Sequence, residues 1–110
     1  MKKLFIGVMS GTSLDGIDTI LVDLTKNKLK VLDFIQKKYS ITQKKLFLDL
    51  SKAKQNDLEE SYQLGLMHAK ITSNLIQKVL KKNNLSSEKI VAIGYHGQTI
   101  RHRPEKGYSI

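Results

Sequence analysis

Three short segments rich in apolar residues open the chain, and polar residues separate them. Residues 4–9 (LFIGVM) form a continuous apolar run, which is typical of a strand buried on both faces. Polar and apolar positions alternate in residues 17–24 (IDTILVDL), and residues 29–39 (LKVLDFIQKKY) follow a polar turn. This pattern predicts a three-stranded antiparallel meander.

Two segments with helical periodicity follow the meander. Residues 42–54 carry apolar side chains at helical spacing and predict a first helix. Residues 57–82 predict a longer second helix, which Asp57 and Glu60 would begin as a capping box. Its apolar stripe comprises Leu58, Tyr62, Gly65, Ala69, Ile76 and Leu80, with Leu64, Ile71, Leu75 and Val79 in a neighbouring row. We expect the stripe to pack on a sheet, with its two small residues permitting close approach.

A fourth strand is predicted after the long helix. Residues 89–95 (KIVAIGY) have the pattern of a buried strand, and a polar segment follows at its carboxyl end. The order β-β-β-α-α-β therefore predicts one α/β domain. Residues 107–110 (GYSI) resemble the opening of another strand, so we expect the domain to be incomplete.

The turn after the first strand, residues 9–16 (MSGTSLDG), has the composition of a phosphate-binding loop. Its two glycines allow unusual backbone dihedrals and let N–H groups face one concavity, while its hydroxyls add further donors. Asp15 and Asp18 offer the hard oxygen ligands that Mg²⁺ prefers. An ordinary hairpin turn is the alternative interpretation, because Leu14-Asp15-Gly16 is also common turn chemistry.

A second polar segment, residues 94–104 (GYHGQTIRHRP), follows the fourth strand. If the first and fourth strands are parallel neighbours, both segments line one cleft at their carboxyl ends. His96 is then a candidate proton donor or acceptor, and Gln98 and Thr99 are candidates to bond sugar hydroxyls or carboxylates. A structural role is the alternative for His96, and its pairing with His102 on a metal lacks a third ligand.

Composition narrows the function classes. The absence of cysteine excludes disulfides and thiolate chemistry, and no apolar run approaches the roughly 20 residues of a membrane span, so we expect a cytoplasmic protein. The net charge of +9 comes mainly from dispersed lysines, which predict a solvated surface. A non-catalytic module that binds polyanions and an unstable truncated remnant remain alternatives. His68, on the long helix, is expected to be structural.

Together, residues 5–18 (FIGVMSGTSLDGID) and 93–104 (IGYHGQTIRHRP) resemble the amino-terminal portion of the anhydro-N-acetylmuramic acid kinases. The resemblance covers the whole chain, residues 1–110, as the N-terminal part of the first kinase lobe with no second domain. It implies the beginning of an actin/hexokinase/Hsp70-like lobe, a ribonuclease H-like α/β fold.

The resemblance also implies a reaction. ATP, with Mg²⁺, would phosphorylate 1,6-anhydro-N-acetylmuramic acid while its anhydro ring is opened by hydrolysis, giving N-acetylmuramic acid 6-phosphate in cell-wall (peptidoglycan) recycling. The implied partners are ATP and an amino sugar rather than nucleic acid or a membrane, and a homodimer is compatible with the complete protein.

Carried over by position, the ATP-binding segment comprises Gly11, Thr12, Ser13, Leu14, Asp15, Gly16, Ile17 and Asp18, and the sugar cleft is faced by His96, Gln98 and Thr99. The water-activating aspartate of the family lies downstream, so no catalytic residue is assigned in this chain, which we expect to be inactive alone. Many members of the wider superfamily carry an aspartate near the end of the first strand, where this chain has Met9. Asp15 is therefore the candidate metal ligand.

Overall fold

The computed structural model describes residues 2–110 as a four-stranded sheet with two helices and a small separate hairpin. In chain order the main elements are β1 (Leu4–Ser10), β2 (Gly16–Asp23), β3 (Lys30–Lys38), α1 (Ile41–Leu50), α2 (Asp57–Lys82) and β4 (Ile90–Gln98). The strand order is β3-β2-β1-β4; the meander is antiparallel, whereas β1 and β4 pair in parallel. The predicted α/β class and element order are confirmed, and the architecture is consistent with the opening of an actin/hexokinase-like lobe.

The main core lies between one face of the sheet and α2. Alternate residues of β1 point into this core, as the period of a strand requires. Its buried members are Leu4, Ile6, Val8, Ile17, Leu21, Leu75, Val79 and Leu80. The prediction that β1 is buried on both faces is wrong for the described chain, because Met9 on the opposite face is 56% exposed.

The prediction that the fourth strand is buried is also wrong for the described chain. Val91 is 60% exposed and Ile93 is 49% exposed. The physical reason is that β4 lies at the edge of the sheet and has β1 as its one neighbouring strand in residues 2–110.

α2 presents a different row of side chains to the core from the stripe that its sequence suggested. Leu58 is 82% exposed and Tyr62 is 68% exposed, while Leu64, Leu75 and Val79 of the neighbouring row are buried together with Leu80 of the predicted stripe. The side chains that α2 buries are Leu64, His68, Thr72, Leu75, Val79 and Leu80. A Cβ on Gly65 would meet nothing within 4 Å, so this glycine permits no close approach here. Both rows are apolar, and periodicity alone does not say which one faces the sheet.

The helix starts also differ from the prediction. α2 begins after Asn56, which takes a left-handed conformation (φ 63°) and makes no side-chain cap, so Asp57 and Glu60 form no capping box. A complete capping box instead begins α1, where Ser40 and Gln43 exchange side-chain and backbone hydrogen bonds. α1 ends at Leu50 rather than at residue 54.

The end of the chain forms a short hairpin. β5 (His102–Arg103) pairs antiparallel with β6 (Tyr108–Ser109), so residues 107–110 do open a strand, but in a separate sheet. Arg101 donates to the Leu50 carbonyl at 3.2 Å and to the Asp57 carboxylate at 2.6 Å, which fastens the hairpin to the connection between the helices. Over residues 2–110, neither helix is long and apolar enough to cross a bilayer.

Two glycines offer a matched test of this packing. A Cβ on Gly16 would lie 2.2 Å from the carbonyl oxygen of Lys37 on the neighbouring strand. We expect Gly16→Ala to lower the free energy of unfolding by about 1–3 kcal/mol, because backbone must move to admit the methyl group.

Gly65→Ala is the control, since its methyl group enters open space on a helix and should raise the free energy of unfolding by about 1 kcal/mol. Urea denaturation measures both changes. Equal stability of the two variants would contradict the close approach of β2 to β3 at Gly16.

Candidate functional site

The loop between β1 and β2, residues 11–15, is a tight turn anchored by its own leucine. The Leu14 N–H donates to the Gly11 carbonyl at 3.3 Å. Leu14 has a positive φ of 57°, which is uncommon for a residue with a side chain. Its side chain is 6% exposed and joins a second core cluster with Phe47, Leu50 and Leu64. The core therefore holds the loop in a backbone conformation that the sequence alone disfavours.

The two glycines of the loop do not take the backbone conformation that the sequence predicted. The glycines with positive φ in the described chain are Gly97 and Gly107, so neither Gly11 nor Gly16 supplies the unusual dihedral that the sequence suggested. Gly16 is needed for the close approach to β3. A Cβ on Gly11 would lie 3.6 Å from the Ser13 hydroxyl, an ordinary van der Waals contact, so the protein itself does not require glycine at this position.

Hydrogen-bond donors cluster at the exposed crest of the loop. Thr12 and Ser13 are exposed, and within residues 2–110 their backbone N–H groups donate to no protein acceptor. The Ser13 hydroxyl donates to Oδ2 of Asp15 at 3.0 Å. Free N–H groups beside hydroxyls form the kind of concavity that binds anions. The loop thus offers donors for phosphate oxygens with one carboxylate beside them.

The parallel pairing of β1 with β4 brings the two polar segments together, as the sequence predicted. Ser10 lies opposite Gln98 in the ladder. Nε2 of Gln98 donates to the Gly11 carbonyl at 3.0 Å, and Oε1 accepts from the Tyr39 hydroxyl at 2.8 Å. Gln98 therefore joins the second segment to the first loop.

The Gln98 and His96 side chains of the second segment lie in different surroundings, Gln98 among protein hydrogen bonds and His96 in a groove. Gln98 Nε2 also donates to the Thr99 carbonyl at 3.0 Å, so most of the amide is engaged within the protein. His96 is exposed, and its Nδ1 lies 3.1 Å from the Gly97 carbonyl. His96 and Asp18 line the same groove of about 470 Å³ on the sheet face that α2 leaves open. Contacts of these side chains with a substrate stay a prediction.

The two aspartates of the first segment are separated. Asp18 faces the groove, where Oδ1 accepts from Gln36 at 2.8 Å, while Asp15 stands on the loop. Among residues 2–110, no group of three or more His, Cys, Asp or Glu side chains is arranged to hold a metal ion. Asp15 suits Mg²⁺ as a single carboxylate, because Mg²⁺ takes its remaining ligands from phosphates and water in such sites.

A buried polar cluster lies beneath the loop. The sequence predicted a structural role for His68 but did not predict this cluster. His68 is 2% exposed, and its Nε2 lies 2.8 Å from the Ser10 hydroxyl. Its Nδ1 contacts the Tyr95 hydroxyl on β4. Burial lowers the pKa of His68, so the imidazole is held neutral. The feature of the sequence that could have revealed this cluster is a histidine in the row of α2 that faces the core.

The two arginines of the second segment are engaged in structure. Arg101 pairs with Asp57 and holds the pKa of that carboxyl below its usual range. Arg103 donates to the Ser51 carbonyl at 2.6 Å. Both guanidinium groups thus donate to carbonyls at the end of α1, which lack helical partners, and Arg101 also binds the Asp57 side chain at the start of α2.

These features define a class of protein: an α/β domain with a tight turn that exposes unpaired N–H groups after its first strand, and a second polar segment beside that turn. Comparison with known proteins gives the family. The family model described as anhydro-N-acetylmuramic acid kinase matches residues 3–110. The curated anhydro-N-acetylmuramic acid kinase of Nitrosomonas europaea is 37% identical over 108 residues, which cover 96% of this chain and 30% of that protein.

The chain therefore belongs to the anhydro-N-acetylmuramic acid kinase family, a family of phosphotransferases, as the sequence resemblance indicated. It spans about 30% of the length of the curated relative.

The buried imidazole makes stability depend on pH. The unfolded chain binds a proton on His68 at about pH 6.5, whereas the folded chain resists it, because burial lowers the pKa. The stabilisation is present above about pH 6.5 and is lost as the pH falls through the folded pKa, by at most about 1.4 kcal/mol per pH unit. Urea denaturation at several pH values measures this slope.

Two substitutions distinguish the contribution of His68 to this pH dependence from that of the other titrating groups. His68→Gln should remove the slope just below pH 6.5, and His102→Gln, an exposed control, should retain it. Asn83 lowers the pKa of Asp33, and Arg101 lowers the pKa of Asp57. These carboxyl groups therefore change the free energy of unfolding only at lower pH, near 3.9 and below. An unchanged slope in His68→Gln would show that His68 is not held neutral by burial.

Proposed function

We propose that this chain is the N-terminal part of an ATP-dependent sugar kinase, in which Gly11–Asp18 binds the phosphates of ATP. The observation that carries the proposal is the pair of unpaired N–H groups at Thr12 and Ser13, two hydroxyl-bearing residues placed where β1 and β4 end side by side. Ligands of α/β sheets collect at such carboxyl ends.

Each loop residue has a distinct part in the proposed binding. The N–H groups of Thr12 and Ser13 and the Thr12 hydroxyl donate to phosphate oxygens, and the Ser13 hydroxyl turns its one proton from Asp15 to a phosphate oxygen when ATP binds. The bare Gly11 lets those oxygens approach. Asp15 would hold Mg²⁺ through one carboxylate oxygen, and the ion would supply positive charge beside the phosphates. Leu14 and Gly16 keep the loop in place from below, so the donors are arranged before ATP arrives.

The proposed acceptor is 1,6-anhydro-N-acetylmuramic acid, which would become N-acetylmuramic acid 6-phosphate with hydrolytic opening of the anhydro ring. This reaction belongs to peptidoglycan recycling in the cytoplasm and needs no nucleic acid or membrane partner; a homodimer of the complete protein is compatible with it. His96, in the groove with Asp18, is the candidate of this chain to meet the sugar. We assign no base that activates the attacking water to any residue of the chain.

Binding of ATP is the first test of the loop. Addition of MgATP should shift the amide NMR signals of residues 11–18 and their neighbours. Ser13→Ala should weaken the affinity about tenfold, because it removes one hydrogen bond to a charged phosphate.

Ser73→Ala is the matched control, since Ser73 is exposed on α2 away from the loop. Shifts spread over the lysines, with affinity that falls steeply with salt and ignores Ser13→Ala, would favour the polyanion-binding alternative. Collapsed amide signals before ATP is added would indicate an unstable remnant.

Turnover by the isolated chain is the second test. We expect no phosphorylated sugar from ATP and 1,6-anhydro-N-acetylmuramic acid, because phosphoryl transfer needs a positioned acceptor and charge stabilisation on both sides of the transferred group. Mass spectrometry of the reaction mixture measures the product. Formation of product that Gly11→Val abolishes would refute this expectation.

A further inference from the structure

Gln98 ends β4 with its side chain on the face of the sheet that carries the helices. In a regular strand Gln98 would share a face with His96, which lies in the open groove. The ladder is irregular here, because Val8–Ser10 of β1 pairs with residues 95–98 of β4, a stretch that is one residue longer. A bulge of this kind moves the side chain that follows it to the other face of the sheet.

Gly97 allows the bulge. Its φ is 80°, in the left-handed region that glycine enters without a steric penalty. A Cβ at this position would meet nothing within 4 Å, so the backbone conformation rather than the space favours glycine here. Gly97 thus turns the Gln98 side chain away from the groove and toward the loop between β1 and β2.

The Gln98 amide is bonded within the protein through both of its ends. Nε2 donates to the carbonyls of Gly11 and Thr99, each at 3.0 Å. Oε1 accepts from the Tyr39 hydroxyl at 2.8 Å. Because carbonyl oxygens only accept, the atom that contacts both carbonyls must be the NH₂ group, and this fixes the orientation of the amide. Both donors of Gln98 are therefore committed to the backbone of this chain.

Tyr39 holds the opposite end of the same loop. Its backbone N–H donates to the Asp15 carbonyl at 3.0 Å, while its hydroxyl donates to Gln98. The Tyr39 ring packs on Phe47, with ring centroids 5.2 Å apart, so the tyrosine is anchored in the second core cluster. Gln98 and Tyr39 together form a clamp that joins Gly11 to Asp15, the first and last residues of the loop.

The clamp sets a direction within the loop backbone. The Gly11 carbonyl and the Thr12 N–H belong to one planar trans peptide unit, in which the C=O and N–H bonds point in opposite directions. The carbonyl accepts from Gln98 at 3.0 Å and from the Leu14 N–H at 3.3 Å. With the carbonyl held in this way, the Thr12 N–H must point away from Gln98.

We propose that Gln98 is a positioning residue for the loop, which with Tyr39 fixes the direction of the Thr12 N–H through the Gly11 carbonyl. The proposal rests on the proposed role of the loop in binding ATP, since the Thr12 N–H is one of the groups that would donate to phosphate. A loop that is already held in this conformation loses less conformational freedom when ATP binds.

The side-chain amide of Gln98 in the wild-type chain is the first test. Without ATP, its two N–H protons should exchange with water about tenfold more slowly than those of Gln63, which is exposed on α2. NMR measures both exchange rates in the same sample. Equal rates for the two side chains would overturn the proposal, and this result would not depend on the folding of an altered chain.

Gln98→Met removes the donors but keeps an unbranched side chain of similar length. Without ATP, we expect the amide signals of residues 11–14 to shift. The affinity for MgATP should fall about fivefold, the effect of one neutral hydrogen bond. Gln63→Met is the control and should change neither the loop signals nor the affinity. Loop amides at their wild-type positions in Gln98→Met would overturn the proposal.

A pair of substitutions at Gly97 tests the bulge without altering Gln98. Both new side chains enter open space, but asparagine tolerates a positive φ and β-branched valine does not. The loop amides should stay near their wild-type positions in Gly97→Asn and shift in Gly97→Val. Equal positions in the two variants would overturn the proposal.

The failure of the proposed function is distinguishable from the failure of this inference. A wild-type chain whose amide signals ignore MgATP would overturn the proposed role of the loop in binding ATP. The exchange rates and the loop amide signals recorded without ATP still decide whether Gln98 holds the loop.

Discussion

The parallel pairing of β1 with β4 is the constraint on which the site depends. Gly11 and Gln98 are 87 positions apart in sequence, and this ladder makes them neighbours. The register shifts between Val8 and Ser10, and such an irregularity bends a strand and re-aims its side chains. The shift ends with Ser10 opposite Gln98, from which the contact of Gln98 with the Gly11 carbonyl follows.

α2 supports the site from below because it reaches both core clusters. Leu75 and Val79 pack on the sheet, while Leu64 packs with Leu14 of the loop. The positive φ of Leu14 costs about 1–3 kcal/mol, and burial of a leucine side chain returns a similar amount, about 1.5–3 kcal/mol. The helix thus keeps the loop in its strained form. His68 on the same helix contacts the Ser10 hydroxyl at the end of β1.

The chain contributes one wall of the proposed cleft. In that proposal the wall offers unpaired N–H groups, one carboxylate and a groove with an exposed histidine. Apolar side chains on β4 and on the outer row of α2, such as Val91 and Leu58, remain exposed in residues 2–110. The chain spans about 30% of its curated relative. The role that we propose for it is to hold ATP.

The sequence by itself determined the order of elements, the family and the two polar segments, because apolar periodicity and motif residues are local properties of the chain. Only the tertiary structure decided which row of α2 faces the sheet, since both rows are apolar and packing selects between them. It also decided that Leu14 rather than a glycine takes the left-handed conformation, and that His68 meets Ser10 and Tyr95. These outcomes depend on contacts between residues distant in sequence, whose burial and hydrogen bonds outweigh local preference.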